Sequence, residues 1–190
     1  MFEADFDGTP AENTEESIGE DRPKNKNKKP KISAQEKALC LLEKQSRTAY
    51  QIRLSLSKAG YDAQEIDEAL EFLVDVGYID DAAYAKRYLE ILIEKGRGRR
   101  RAADEMRRHG LAAELVRFTI EDGYPAETER ENAMIIATKA TSEMRDDVPK
   151  TQIARRISLK LTGQGYNFDV INSVIDEIIR RRGDRDEAFR

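Results

Sequence analysis

Tryptophan is absent from this chain of 190 residues, histidine and cysteine occur once each, and aromatic residues make up only 7%. These shortages remove whole classes of chemistry. A lone thiol closes no internal disulfide. Cys40 and His109 stand 69 positions apart, with neither the spacing of a zinc site nor the look of a nucleophile beside its base. Gly96 and Gly98 lack the spacing of a phosphate loop, and no strand pattern precedes them. The many carboxylates single out no catalytic pair. No apolar run approaches the roughly 20 residues of a spanning helix, and no signal-like segment is present, so the reading is a cytosolic protein of a reducing compartment with no membrane attachment. It is also a protein without catalysis, metal or cofactor.

What the chain has in excess is charge. Charged residues are 37% of it, against roughly 25% in an ordinary globular domain, and such a surface-rich composition suits a thin-cored array better than a compact enzyme. The pattern repeats. A helix-like run closes at Gly60, Gly110 and Gly165, 50 and 55 positions apart. Ile52 and Leu56 precede the first glycine, Ala102 and Met106 the second, Ile157 and Leu161 the third. Tyr61, Leu111 and Tyr166 follow directly, and Ile66 with Leu70, Val116 with Ile120, and Ile171 with Ile175 come next. Units of this length that bury their apolar faces on one another form tandem arrays.

Local signals place the helices. Ser33 with Glu36, Thr48 with Gln51 and Asp62 with Glu65 are capping-box pairs, and Asp80 is a further N-cap after Gly77 stops the helix before it. Gly96 and Gly98 interrupt the chain before a basic helix that ends at His109. Helices are expected over 126–144, 150–163 and 167–182, with Pro149 and Asn167 at helix starts. Nothing alternates as a strand does. The expected fold is all-α, an elongated, solenoid-like array of three tandem three-helix repeats over 32–79, 80–124 and 125–183. An acidic then basic tail, residues 1–31, reads as disordered, and residues 184–190 as a C-terminal tail. Cys40, inside the apolar run Ala38–Leu42, reads as a small buried hydrophobe, Tyr84 and Tyr88 as core packing, and His109 as a helix-end residue.

The net charge of −4 hides a division. Asp62, Glu65, Asp67, Glu68, Glu71, Asp75, Asp80 and Asp81 occupy a stretch with no Lys or Arg, whereas Lys95, Arg97, Arg99, Arg100, Arg101, Arg107 and Arg108 face only Asp104 and Glu105. Cations at a helix start oppose the macrodipole, so Arg97, Arg99, Arg100 and Arg101 suit an anionic ligand such as phosphate or carboxylate. The alternative is a charged face paired with the acidic helix of the first unit. Arg107 and Arg108, in a last turn, favour the helix anyway. Lys95 completes the basic set of partner or DNA-binding candidates. Asp62, Glu65, Glu68 and Asp75 are weaker candidates for a basic protein surface, or else a solvated face.

The run Gly77-Tyr78-Ile79-Asp80-Asp81-Ala82-Ala83-Tyr84-Ala85, then Lys95-Gly96-Arg97-Gly98, then a basic helix ending Arg108-His109-Gly110-Leu111, resembles the RecX family of RecA regulators. Arg47-Thr48, Gly60-Tyr61 and Gly165-Tyr166-Asn167-Phe168-Asp169 add to the likeness, which spans about residues 33–180. The third unit matches more loosely, because its basic helix reads as interrupted at Thr162-Gly163. The resemblance implies three tandem three-helix repeats lying in the groove of a RecA filament on single-stranded DNA. It also implies inhibition of RecA ATPase, strand-exchange and coprotease activities, and so a place in DNA repair, recombination and the SOS response. From the residues alone, a rival reading is a module that binds nucleic acid directly, through Arg97–Arg101, Lys24–Lys31 and Arg180–Arg182, without RecA. In either case the chain reads as a monomer. On this reading, Arg99→Glu with Arg101→Glu weakens inhibition and leaves the array folded.

Overall fold

The computed structural model describes residues 32–145 and 147–188, so the tail assigned to 1–31 lies outside the described residues. Among the described residues there are nine helices and no strand: α1 (Ala34–Lys44), α2 (Ala49–Ala59), α3 (Ala63–Asp75), α4 (Asp81–Glu94), α5 (Arg99–Arg108), α6 (Ala113–Gly123), α7 (Ala126–Thr141), α8 (Lys150–Gln164) and α9 (Phe168–Ala188). They fall into three groups of three. Each pair of helices in extensive contact belongs to one group, α1–α3, α4–α6 or α7–α9.

Each group has its own core. Ile52, Leu56, Ile66 and Leu73 fill the first, Leu89, Leu92, Met106 and Val116 the second, and Ile157, Leu161, Ile171 and Val174 the third. The residues about one turn apart on either side of each repeated glycine therefore supply much of the interior, as one-faced burial requires. The capping boxes form at Ser33, Thr48 and Asp62, and the Asp80 side chain accepts from the Ala83 N–H at 2.8 Å. Gly60, Gly110 and Gly165 all adopt positive φ, 92°, 84° and 83°, the left-handed closing conformation that glycine reaches without strain.

Three local expectations are corrected. Cys40 is exposed: it lies two positions from fully buried Ala38, about 200° around the helix, so an unbroken apolar run hides which side faces inward. α8 is not interrupted at Gly163 but continues to Gln164. α9 passes through Gly183 to Ala188, beyond both residue 182 and the boundary placed at 183. One glycine costs a helix only about 1 kcal/mol, and the residues around both glycines are otherwise compatible with it.

Candidate functional site

The second helices of the three units meet end to end, and their meeting points decide what the arginines do. A helix N-terminus carries unsatisfied N–H groups and a C-terminus unsatisfied carbonyls. At the junction of units two and three these are paired with one another. The Gly98 N–H donates to Gln164 O at 2.9 Å and the Arg100 N–H to Gly165 O at 3.3 Å. The C-terminus of α8 thus sits on the N-terminus of α5, opposite poles together. A Cβ on Gly98 would fall 2.5 Å from Gly165 O, and one on Gly165 would collide with Arg101, so this approach needs glycine on both sides.

Three of the four helix-start arginines are built into this junction. The Arg97 guanidinium donates to Gln164 Oε1 at 2.5 Å and lies 3.5 Å from Glu105. Arg101 pairs with Glu105 at 3.0 Å and donates to Gly163 O at 2.6 Å. Arg99 lies 3.3 Å from Glu129 and donates to Tyr124 O, while its backbone N–H donates to Glu129 Oε1 at 2.9 Å. The anion that a cationic helix start demands is therefore the chain's own: the buried Glu129 carboxylate, only 2% exposed, and the carbonyl end of α8. The pairing runs to Glu105 and Glu129, not to the acidic helix of the first unit. Two buried phenols complete the joint, Tyr124 donating to Arg97 O at 3.0 Å and Tyr166 to Gly96 O at 3.2 Å. Burial pushes both phenol pKa values up.

The sequence reading missed Glu129, Tyr124 and Gln164, whose roles rest on contacts 25 to 67 positions away in the chain. One signal was available, since four cations at a helix start call for an anion and the first helix of the next unit, α7, begins with Glu127 and Glu129.

With Arg97, Arg99 and Arg101 engaged internally, the exposed cations lie elsewhere. A groove of about 540 Å³ between α5 and α6 is edged by Arg100, Arg107 and Arg117 and floored by Ala103, Val116 and Ile120. Arg100 and Arg107 share a face two turns apart. Asp104 holds Arg107 at 2.5 Å and Glu121 holds Arg117 at 3.3 Å, both exposed pairs that contribute little. Arg108 lies outside this groove, its Nε donating to Asp104 O at 3.2 Å. Lys95 faces a different groove, between α7 and α8.

Fifty positions earlier the same place recurs with the opposite sign. Between α2 and α3 a groove of about 460 Å³ is lined by Asp67, Glu71, Asp75 and Asp81, with Arg53 opposite. Asp67 is paired with Arg53 at 2.5 Å. The other acidic candidates are elsewhere: Asp62 and Glu65 form the capping box of α3, and Glu68 accepts from Gln64 at 2.9 Å. Of the sequence candidates, then, Arg100, Arg107 and Asp75 line these two equivalent grooves, together with Arg99, whose guanidinium is engaged at the junction.

Two models of the RecX family, its first and second three-helix domains, match residues 34–73 and 80–118. The regulatory protein RecX of Mycobacterium sp. (strain KMS) is 30% identical over 152 residues, 77% of this chain and 82% of that protein. The chain belongs to the RecX family. Regulatory protein RecX of Clostridium botulinum (strain Alaska E43 / Type E3) is 28% identical over 152 residues, 80% of this chain and 71% of the relative. The crystal structure of RecX from Lactobacillus salivarius superposes with a TM-score of 0.70 at 21% identity, over 76% of this chain and 93% of that one, a likeness of fold. The acidic groove and the basic groove thus fall in the two units matched by the RecX domain models. Among the described residues no helix is long and apolar enough to cross a membrane.

Proposed function

We propose that this RecX-family chain binds the RecA nucleoprotein filament on single-stranded DNA and lowers its ATPase, strand-exchange and coprotease activities. It acts as a monomer and without catalysis of its own. The observation that supports this reading is the pair of equivalent grooves of opposite charge in successive units. A periodic partner with acidic and basic surfaces at regular spacing would meet the two at once, and complementary charge sets register and orientation more than raw affinity. In this role Arg100, Arg107 and Arg117 face acidic side chains or DNA phosphates of the filament, and Glu71 and Asp75 face a basic protein surface. Arg99 and Arg101 serve the junction, so charge reversal there reports on unit docking rather than on the partner.

The test is the ATPase rate of RecA from the same organism on single-stranded DNA, with DNA in excess and this chain substoichiometric. Inhibition well below one chain per RecA is expected, and Arg100→Glu with Arg107→Glu should raise the amount needed about tenfold without lowering the melting temperature. No inhibition despite measured DNA binding would favour a module that binds nucleic acid alone.

A further inference from the structure

The third unit carries a basic groove that the filament reading does not use. It measures about 670 Å³ and is lined by Lys95 from the end of α4, Lys139 from α7, and Arg156 and Lys160 from α8, around the apolar Ile136 and Leu159. No carboxylate lines it. None of the four cations is ion-paired among the described residues. α8 has four cations, Lys150, Arg155, Arg156 and Lys160, and no Asp or Glu at all. Four like charges around one concavity repel each other, whereas the basic groove between α5 and α6 has Glu114 and Glu121 in its lining. This groove is built for an anion that the described residues do not supply.

The chain itself contains one. Residues 3–21 hold Glu3, Asp5, Asp7, Glu12, Glu15, Glu16, Glu20 and Asp21 with no Lys or Arg, together with the apolar Phe6 and Ile18. We propose that this acidic segment docks in the α7–α8 groove of its own chain, its carboxylates on Lys95, Lys139, Arg156 and Lys160 and an apolar side chain against Leu159, which is 68% exposed.

The order of charges along the chain supports the register. Directly before the first unit in sequence come Lys24, Lys26, Lys28, Lys29 and Lys31, and that unit's groove is acidic. The acidic segment comes before those in sequence, and so has the longer tether with which to reach the basic units. The Tyr61 hydroxyl, donating to Ile32 O at 2.8 Å, fixes where that chain leaves the first unit. Between that point and the groove lie α2 and α5, about 16 and 15 Å long. Residues 12–16 are 16 to 20 positions upstream of Ile32, an extended reach of roughly 50 to 70 Å. The segment therefore spans the distance with slack, and tethering holds it at a high effective concentration. A free polyanion must displace it to enter the groove. The inference stands apart from filament binding, since it concerns the chain alone.

Carbodiimide coupling, which joins a carboxylate to a neighbouring lysine amine, tests it on the full chain without any partner. Links from the acids of residues 3–21 should concentrate on Lys95, Lys139 and Lys160. They should join residues of one copy in a mixture of isotopically light and heavy protein, and fade as salt approaches about 1 M, where screening acts within about 3 Å. Lys139→Glu with Lys160→Glu should cut the remaining links to Lys95 about fivefold, whereas Lys139→Arg with Lys160→Arg, which keeps the charge and the fold, should leave them unchanged. Links spread over Lys37, Lys44, Lys58 and Lys86 in proportion to exposure would overturn the proposal. So would links between differently labelled copies, or links to Lys95 lost equally in both double variants.

Discussion

The junction between units one and two and the junction between units two and three solve one problem with different chemistry. In the first, the C-terminus of α5 meets the N-terminus of α2. The Thr48 hydroxyl accepts from the Gln51 N–H at 3.2 Å and donates to His109 O at 2.7 Å, and Asp81 accepts from the Ala49 N–H at 3.0 Å. In the second, the residue before the helix is Gly98, which offers no side chain, and capping passes to Glu129, which Arg99 pairs, while Arg97 and Arg101 hold the C-terminal end of α8. Both junctions draw a carboxylate from the first helix of the following unit. What differs is its burial: Glu129 is 2% exposed whereas Asp81 is half-buried. A buried carboxylate needs a close countercharge, and the arginine cluster at the start of α5 supplies it. The end of α2 shows the device from its open side, since a Cβ on Gly60 would meet nothing within 4 Å. Among the described residues no earlier unit docks there.

If the second junction is ionic at heart, Glu129→Gln should cost most. The variant keeps the shape but removes the countercharge of Arg99, whose side chain is 31% exposed. We expect a loss of about 2–3 kcal/mol in urea unfolding, below the full penalty for breaking a buried pair because water reaches the guanidinium. Asp81→Asn, the matching change at the first junction, should cost under about 1 kcal/mol. Equal losses would mean that the two junctions do not differ in kind.

Thr48→Val probes the neutral junction. The side chain is fully buried, and valine fills its space while leaving His109 O and the Gln51 N–H without their partner. A loss of about 1–2 kcal/mol is expected. A loss below that of an ordinary exposed N-cap would show that the contact with His109 contributes nothing.

Much of this was legible in the sequence, and the boundary follows chain distance. Capping boxes pair residues three apart, and the faces of Ile52 and Leu56 or Ile157 and Leu161 repeat within a turn or two, so helices, caps and the three-fold repeat could be read locally. The arginines could not. Arg99 is 30 positions from the carboxylate it meets, Arg101 62 from the carbonyl and Arg97 67 from the amide. A cationic helix start looks the same in sequence whether its anion is a ligand or a distant part of the chain. The α7–α8 groove was hidden for a related reason: Lys95, Lys139, Arg156 and Lys160 come from three helices, and no stretch of sequence shows them as a cluster.

The smallest effect separates the junctions by pH. His109, the single histidine, lies at the first junction only, its Nδ1 2.7 Å from the Tyr84 hydroxyl and its ring stacked on Tyr88 at 4.3 Å. Burial holds its pKa below the ordinary 6.5, with Glu105 opposing that shift and Arg108 adding to it. A lowered folded pKa means that below pH 6.5 the unfolded chain binds the proton more readily. The contribution of His109 is then complete above pH 6.5 and is lost as pH falls from there through the folded value. A urea midpoint series should decline across this window before the carboxylates titrate, and His109→Phe should flatten the decline while leaving the effect of Glu129→Gln unchanged. A decline that persists in His109→Phe would place the titrating group outside the first junction.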